Sequence, residues 1–179
     1  MQKDQTAKEA LIDQRHLRDV LGRFPTGIAI VTSKDPQTNR PVGLAVSSFN
    51  SLSLDPPLIL WSIGLKSTSL NAFRSHRYFA VNVLADDQEH LCKAFARSGA
   101  DKFSGVNYDL GIADVPLLVG AAAHFQCETV ERHPAGDHEL YIGRVVDIST
   151  SKSEPLVFHG GSFRRLRPRE NINFAATDG

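Results

Sequence analysis

The sequence predicts a mainly β fold with helical additions, arranged as an antiparallel barrel. Three observations lead there. Short β-branched or apolar runs recur with turn formers between them, and most pairs have no intervening helix, which disfavours parallel βαβ winding. Turn formers are plentiful, with 13 glycines and 9 prolines spread along 179 residues. One long stretch also alternates in strict period 2, through Leu140, Ile142, Arg144, Val146 and Ile148. The length suits a single domain, since domains cluster at roughly 100–200 residues.

Leu17, Val20, Leu21 and Phe24 fall at i, i+3, i+4 and i+7, the stripe of an amphipathic helix that Leu11 and Ile12 can extend and Pro25 ends. The period then changes. Thr26–Thr32 is short and β-branched, residues 33–40 form a polar turn, and Val42–Val46 returns apolar, a hairpin signal. A turn at 53–57 leads into Leu58–Ile63, too short and too apolar for an isolated helix and read as a buried strand. Thr68–Ser75 reads as a short helix with Ser67 or Thr68 as N-cap, and Tyr78–Leu84 as a strand. In Gln88–Arg97, the residues Leu91, Cys92, Phe95 and Ala96 make one helical face. Residues 98–115 carry glycine and no period, and a loop that long in a compact domain is usually functional or poorly ordered. Two long strands, Ala121–Arg132 and Glu139–Thr150, flank the turn-forming residues 133–137, and Pro155–His159 and Ser162–Leu166 supply two short ones. Seven or so strands with two or three helices result.

Composition excludes several functions. With 41% hydrophobic and 22% charged residues the chain is not of the disordered type. Its 20 Lys+Arg balance 20 Asp+Glu, so no broad field attracts nucleic acid or an anionic membrane, and neither is expected as a partner. Any anion must be held by local geometry. Cys92 and Cys127 form no CxxC pair, the first nine residues lack the apolar core of a secretory signal, and no apolar run approaches the roughly 20 residues of a membrane span. A reducing cytoplasm is the expected location.

Motif reading removes other classes. There is no GxGxxG and no GxSxG, and Lys66-Ser67-Thr68 lacks the glycines of a phosphate-binding P-loop. The seven histidines include no HExxH, and the His133/His138 spacing matches no standard ligand pattern, so no metal is expected. What remains is a cluster of small hydroxyl residues at the ends of apolar strands: Ser47, Ser48, Ser51 and Ser53, then Ser62, Ser67, Thr68 and Ser69. Hydroxyls with the free amides of a helix start can hold a phosphate, with Lys66 adding charge. Ser and Thr also collect in turns for local backbone reasons, and spacing alone does not separate the two readings. Gly136-Asp137-His138 delivers a histidine to the mouth of a long strand, where it can hydrogen-bond a ligand or sit as an ordinary surface residue. Arg164, Arg165, Arg167 and Arg169 can touch phosphate or form a solvated end.

Taken together, these segments resemble the short-chain flavin reductases, FMN-binding split barrels that supply reduced flavin to two-component monooxygenases. The resemblance runs from about Leu17 to Leu166, leaving 1–10 and 167–179 as tails of a single domain, and rests on five ordered segments: Phe24–Thr32, Gly43–Pro57, Phe79–Leu84, Gly136–His138 and Pro155–Phe158. It implies an antiparallel FMN-binding split barrel. It further implies that Ala45, Val46, Ser47, Ser48 and Asn50 lie along the flavin, that Ser62, Lys66, Ser67 and Thr68 meet its phosphate, and that His138 lies near the nicotinamide. Ala45 departs from the threonine many members carry. The implied reaction is hydride transfer from NADH or NADPH to FMN or FAD, with positioning as the protein's contribution and His138 in an orienting role. A homodimer and a flavin-dependent monooxygenase partner follow from the same resemblance. A non-catalytic flavin-binding module of the same fold is the alternative.

Overall fold

The computed structural model describes residues 12–99 and 101–167. Helix α1, Gln14–Leu21, begins earlier than its apolar stripe because Asp13 caps it, its carboxylate accepting from the His16 amide at 3.0 Å. Leu11 lies outside the described residues. Among the described residues nothing covers the stripe: Leu17, Val20, Leu21 and Phe24 are 42–72% exposed.

Strands β1 (Thr26–Gly27), β2 (Ala29–Lys34) and β3 (Pro41–Val46) follow. The expected hairpin is β2–β3, with Lys34 opposite Pro41 and the Asp35 carboxylate gathering the Gln37 amide and the Thr38 hydroxyl in the turn. Ser53 and Leu54, expected in the turn at 53–57, instead belong to strand β4 (Asn50–Leu54), which pairs with β5 (Pro57–Gly64). β5 is not buried on both sides. Ile59, Trp61 and Ile63 are buried while the residues between them are half-buried, so one face looks outward.

Helix α2 is Leu70–Ser75, β6 is Tyr78–Val83 and α3 is Glu89–Phe95. On α3, Leu91 and Phe95 are buried, Cys92 is half-buried and Ala96, now the C-cap, is exposed. The irregular stretch 98–115 holds strand β7 (Tyr108–Leu110) and a 3-10 turn, Ile112–Asp114, and β7 pairs with β8 (Pro116–Leu118). Strands β9 (Ala123–Ala135) and β10 (His138–Thr150) run closer to each other than expected and meet at a two-residue turn, Gly136-Asp137, with Gly136 at φ 62°. β11 (Val157–His159) and β12 (Ser162–Arg164) close through Gly160-Gly161, both at positive φ.

All the pairings are antiparallel, and the main sheet has seven strands in the order β3-β2-β6-β9-β10-β5-β4. Its two edge strands, β3 and β4, are consecutive in sequence, separated only by residues 47–49. A flat seven-stranded sheet is about 29 Å wide at roughly 4.8 Å per strand. Four Cα steps from Val46 to Asn50 reach at most about 15 Å. The sheet therefore rolls until its edges approach, which makes a barrel with a seam between β3 and β4.

Two cores fill the two sides of this wall. Inside the roll, Trp61 stacks on Tyr141 with ring centroids 4.7 Å apart, packed with Phe73, Phe79, Val31 and Val81. On the other side, Ile28, Ile30, Leu84, Leu91, Phe95, Leu118 and Leu156 make a second cluster beneath α3. Asn82, fully buried, joins the β8 segment to the barrel: its amide nitrogen donates to Ile30 O at 2.9 Å and Thr32 Oγ1 at 3.0 Å, and its oxygen accepts from Leu118 N at 2.8 Å.

β10 reverses a simple reading of its alternation. The apolar set Leu140, Ile142, Val146 and Ile148 lies on the less buried side, with Val146 and Ile148 exposed, and the buried positions are Glu139, Tyr141 and Gly143. Gly143 is required where it stands, because a Cβ there would overlap the Phe79 ring and press Cys127 Cβ at 3.3 Å.

Candidate functional site

The seam places most of the predicted residues at one end of the barrel. Ser47–Phe49 bridges its edges, and Ser48 Oγ accepts from the Ser62 amide at 3.0 Å while lying 3.4 Å from the Ser62 carbonyl. The Ser48 hydroxyl is thus engaged with the protein itself. Ala45 packs against the cluster beneath α3, and Val46 is buried in the barrel core, so each side chain serves packing and only their backbone groups remain for a ligand. Ser47 and Asn50 are exposed, Asn50 lying across from Leu60.

From Ser62 the chain runs through Gly64 into a tight turn, where the Ser67 amide donates to Gly64 O at 2.9 Å and Ser67 Oγ accepts from the Ser69 amide at 3.3 Å. Lys66 and Thr68 are exposed on this turn. Helix α2 begins only at Leu70, with Ser69 as its N-cap and no side-chain capping bond. The expected cap at Ser67 or Thr68 does not form because those residues close the preceding turn. A six-residue helix adds little dipole, so the hydroxyls and Lys66 carry the anion-binding capacity of this turn.

His138 stands opposite Gly64 in the β10–β5 ladder, its Nε2 3.7 Å from where a Gly64 Cβ would lie. Its Nδ1 is 2.7 Å from the Asp137 carboxylate. That hydrogen bond, the imidazole charge and, more weakly, Lys66 hold the Asp137 carboxyl below the usual carboxylate range. The Leu65 amide donates to Asp137 O at 2.9 Å, which ties the Lys66–Thr68 turn to the histidine hairpin. So Ser48, Ser62, Lys66, Ser67, Thr68 and His138 come together from three separate stretches of sequence. Arg164 lies on β12 and Arg165 pairs with Asp86 at 3.3 Å, so these arginines belong to the small sheet; Arg169 lies outside the described residues.

A cleft of about 810 Å³ opens beside this turn. Thr68 and Ser69 form one wall, Pro41–Gly43 another, and Lys102, Phe103 and Tyr108 a third. The last three were not singled out in the sequence, where only the unusual length of the loop hinted at a role. Lys102 fixes that loop: its ammonium donates to Gly43 O and to Phe95 O, both at 3.0 Å, and burial pushes its pKa down.

The arrangement contains no nucleophile and base. Among the described residues two serine–histidine contacts occur, Ser149 Oγ to His124 Nδ1 at 3.0 Å on β9–β10 and Ser33 Oγ to His76 Nδ1 at 3.3 Å, and both lie elsewhere; in the second, both atoms also approach Tyr78 O at 2.8 Å. A ring nitrogen donating to a carbonyl cannot also take the serine proton. What the site offers is hydroxyls, amides, one lysine and one imidazole around an open seam, which suits holding ligands in place.

The profile of the flavin reductase-like domain matches residues 21–167. The chain belongs to that family. It is 39% identical over 154 residues to the FMN reductase (NADH) of Agrobacterium fabrum, covering 86% of this chain and 87% of that protein. It is 38% identical to the reductase subunit of a flavin-dependent monooxygenase of Rhodococcus jostii, covering 90% and 82%. Among solved structures, the NADH:FAD oxidoreductase of Streptomyces globisporus in complex with NAD and FAD fragments superposes with a TM-score of 0.83 at 35% identity, over 89% of this chain and 96% of that one. The nitrilotriacetate monooxygenase component B of Mycobacterium thermoresistibile gives 0.86 at 36% identity, over 93% and 94%. The rolled sheet with its β3–β4 seam is therefore the split barrel of flavin reductases.

Proposed function

We propose that this flavin reductase-like domain catalyses reduction of a flavin, FMN or FAD, by NADH, and that the reduced flavin serves a separate flavin-dependent monooxygenase. The observation that carries the reading is the attachment of the Lys66–Thr68 turn to the His138 hairpin beside the β3–β4 seam. It brings an anion-binding turn within reach of an imidazole across an open groove, which is what two stacked ring cofactors need.

The residues fit a flavin. Its phosphate finds hydroxyl donors at Ser67 and Thr68, backbone amides in the turn and the Lys66 ammonium, and Thr68 also faces the large cleft. The flavin ring is assigned to the backbone of Ala45–Ser48 and the Ser62 end of β5, with the exposed Ser47 and Asn50 beside it. A bound flavin supplies the hydride-accepting chemistry, so the protein's task is to hold two rings at roughly 3–3.5 Å. His138 orients the nicotinamide side, and Asp137 fixes the ring by accepting from Nδ1, with Nε2 beside Gly64 at the end of β5. NADH is favoured as reductant because relatives of both flavin types carry it in their names. NADPH is the competing donor in the test below.

The uncovered apolar surface supports assembly as a homodimer. The α1 stripe and the outward residues Leu52, Leu54, Val146 and Ile148 leave exposed apolar surface that a second copy can cover. Among the described residues no helix is long and apolar enough to cross a membrane. With two free cysteines, the chain suits a reducing cytoplasm.

The test mixes protein, nicotinamide and catalytic FMN or FAD in air and follows the nicotinamide absorbance. Flavin-dependent loss of that band with NADH, faster than with NADPH, is expected. A protein that binds flavin yet oxidises neither donor would be the non-catalytic module instead.

A further inference from the structure

Glu139 is 7% exposed, an unusual place for a carboxylate, and lies on β10 immediately after His138 with its side chain on the opposite face of the sheet. It is satisfied by a guanidinium fork from the last turn of α2. Arg74 Nη2 lies 2.6 Å from Oε2, and Arg74 Nε lies 3.1 Å from Oε2 and 3.3 Å from Oε1. Arg132, across the β9–β10 ladder from Tyr141, donates to the Arg74 carbonyl at 3.2 Å, so the end of α2 is held at its side chain and at its backbone.

The start of the same segment is held as well. Leu65 donates to Asp137 O at 2.9 Å. The two residues flanking His138 therefore each grip one end of residues 65–74, and the Lys66–Thr68 turn is suspended between the two grips. A buried ion pair is weak evidence for stability, since a well-packed apolar pair of similar volume is often as stable. What a bidentate fork adds is fixed distance and angle.

We infer that the Arg74–Glu139 fork is a positioning pair that sets the separation between the flavin-phosphate turn and His138, so that flavin binding and nicotinamide binding depend on it together. The inference rests on the assignment of those two subsites above. Neither residue touches a ligand; both act through the turn and the hairpin. Phe73 keeps α2 packed on Trp61 and Tyr141, so loss of the fork frees only the tilt of the helix about that anchor, which shifts Ser67 and Thr68 relative to His138 without opening the core.

The experiment uses the full chain and reads two constants separately, FMN affinity by titration and the KM for NADH at saturating FMN. Glu139→Ala and Arg74→Met are each expected to raise both constants about tenfold while kcat at saturation changes less than about twofold. The double variant should match the singles, since one contact is lost either way. Glu139→Gln, which keeps an oxygen for the Arg74 fork, should recover most of both losses. Arg77→Gln breaks the ion pair with Glu128 away from the turn and should leave both constants at wild-type values. If Glu139→Ala does not fold, Arg74→Met carries the test, because Arg74 is half exposed. A lowered melting temperature with both constants unchanged, or a shift in only one of them, overturns the positioning role. A wild-type protein that neither binds FMN nor oxidises NADH with it overturns the subsite assignment first, and the positioning role with it.

Discussion

Ser48 Oγ accepts a hydrogen bond from the Ser62 amide at 3.0 Å and thereby ties the bend between β3 and β4 to β5, just past the end of the β4–β5 ladder at Asn50–Leu60. A side-chain oxygen there takes the place of a missing ladder partner. The same contact fixes the bend against which the proposed function sets the flavin.

Ser48→Ala should therefore cost about 1 kcal/mol of stability, the ordinary value of one lost hydrogen bond with an amide left to water. Flavin affinity should fall by more than that figure alone predicts, because the 47–49 bend is no longer pinned. Urea melts alongside FMN titration read the two effects separately; equal affinity in the variant would show that the bend is held by its neighbours.

His138→Ala is expected to raise the apparent KM for NADH while flavin affinity stays nearly constant, since the proposed function puts the imidazole on the nicotinamide side and the Lys66–Thr68 turn retains its tether through Asp137 O. Steady-state kinetics with either substrate varied checks this. Unaltered kinetics would remove His138 from the site.

Gly143→Ala tests the barrel interior. With the Phe79 ring and Cys127 against the new methyl, overpacking of about 1–3 kcal/mol is expected. The corresponding drop in melting temperature should be partly relieved by Phe79→Leu in the same chain, which withdraws the clashing ring.

Acid should release the Arg74–Glu139 fork. The hydrogen bond from Arg74 holds the Glu139 carboxyl below its ordinary value, with Tyr141 and Arg132 contributing in the same direction and burial opposing. A carboxyl with a lowered folded-state pKa stabilises the fold above its unfolded value, and that contribution is lost as pH falls through the folded one. Wild type and Glu139→Gln should thus differ most in stability at neutral pH and converge below the usual carboxylate range near pH 4. Stability curves that stay parallel through that range and below it would contradict the lowered value.

Much of the chain was legible from local pattern. The β2–β3 hairpin, strand β6, helix α3 and the Gly136-Asp137 turn follow from apolar period and from residues whose backbone preferences are built in, such as Pro25 and Gly136. Family resemblance carried by ordered motifs added the hydroxyl turn and His138. Other features needed the folded chain. Alternation along β10 says that two faces differ but not which one is covered, and here the covered face holds Glu139, Tyr141 and Gly143 because the Trp61, Phe73 and Phe79 rings lie on that side. Strand β4 was hidden because its residues are mostly exposed and its evidence is a partner, β5, rather than a period. The cleft residues Lys102, Phe103 and Tyr108 gained meaning only when Lys102 reached the carbonyls of Gly43 and Phe95. Sequence by itself determined the fold class and the hairpins, because those depend on neighbours along the chain. Tertiary structure alone decided the seam between β3 and β4, the covered face of β10 and the two grips on residues 65–74, because each joins groups far apart in sequence whose meeting depends on how the whole sheet rolls.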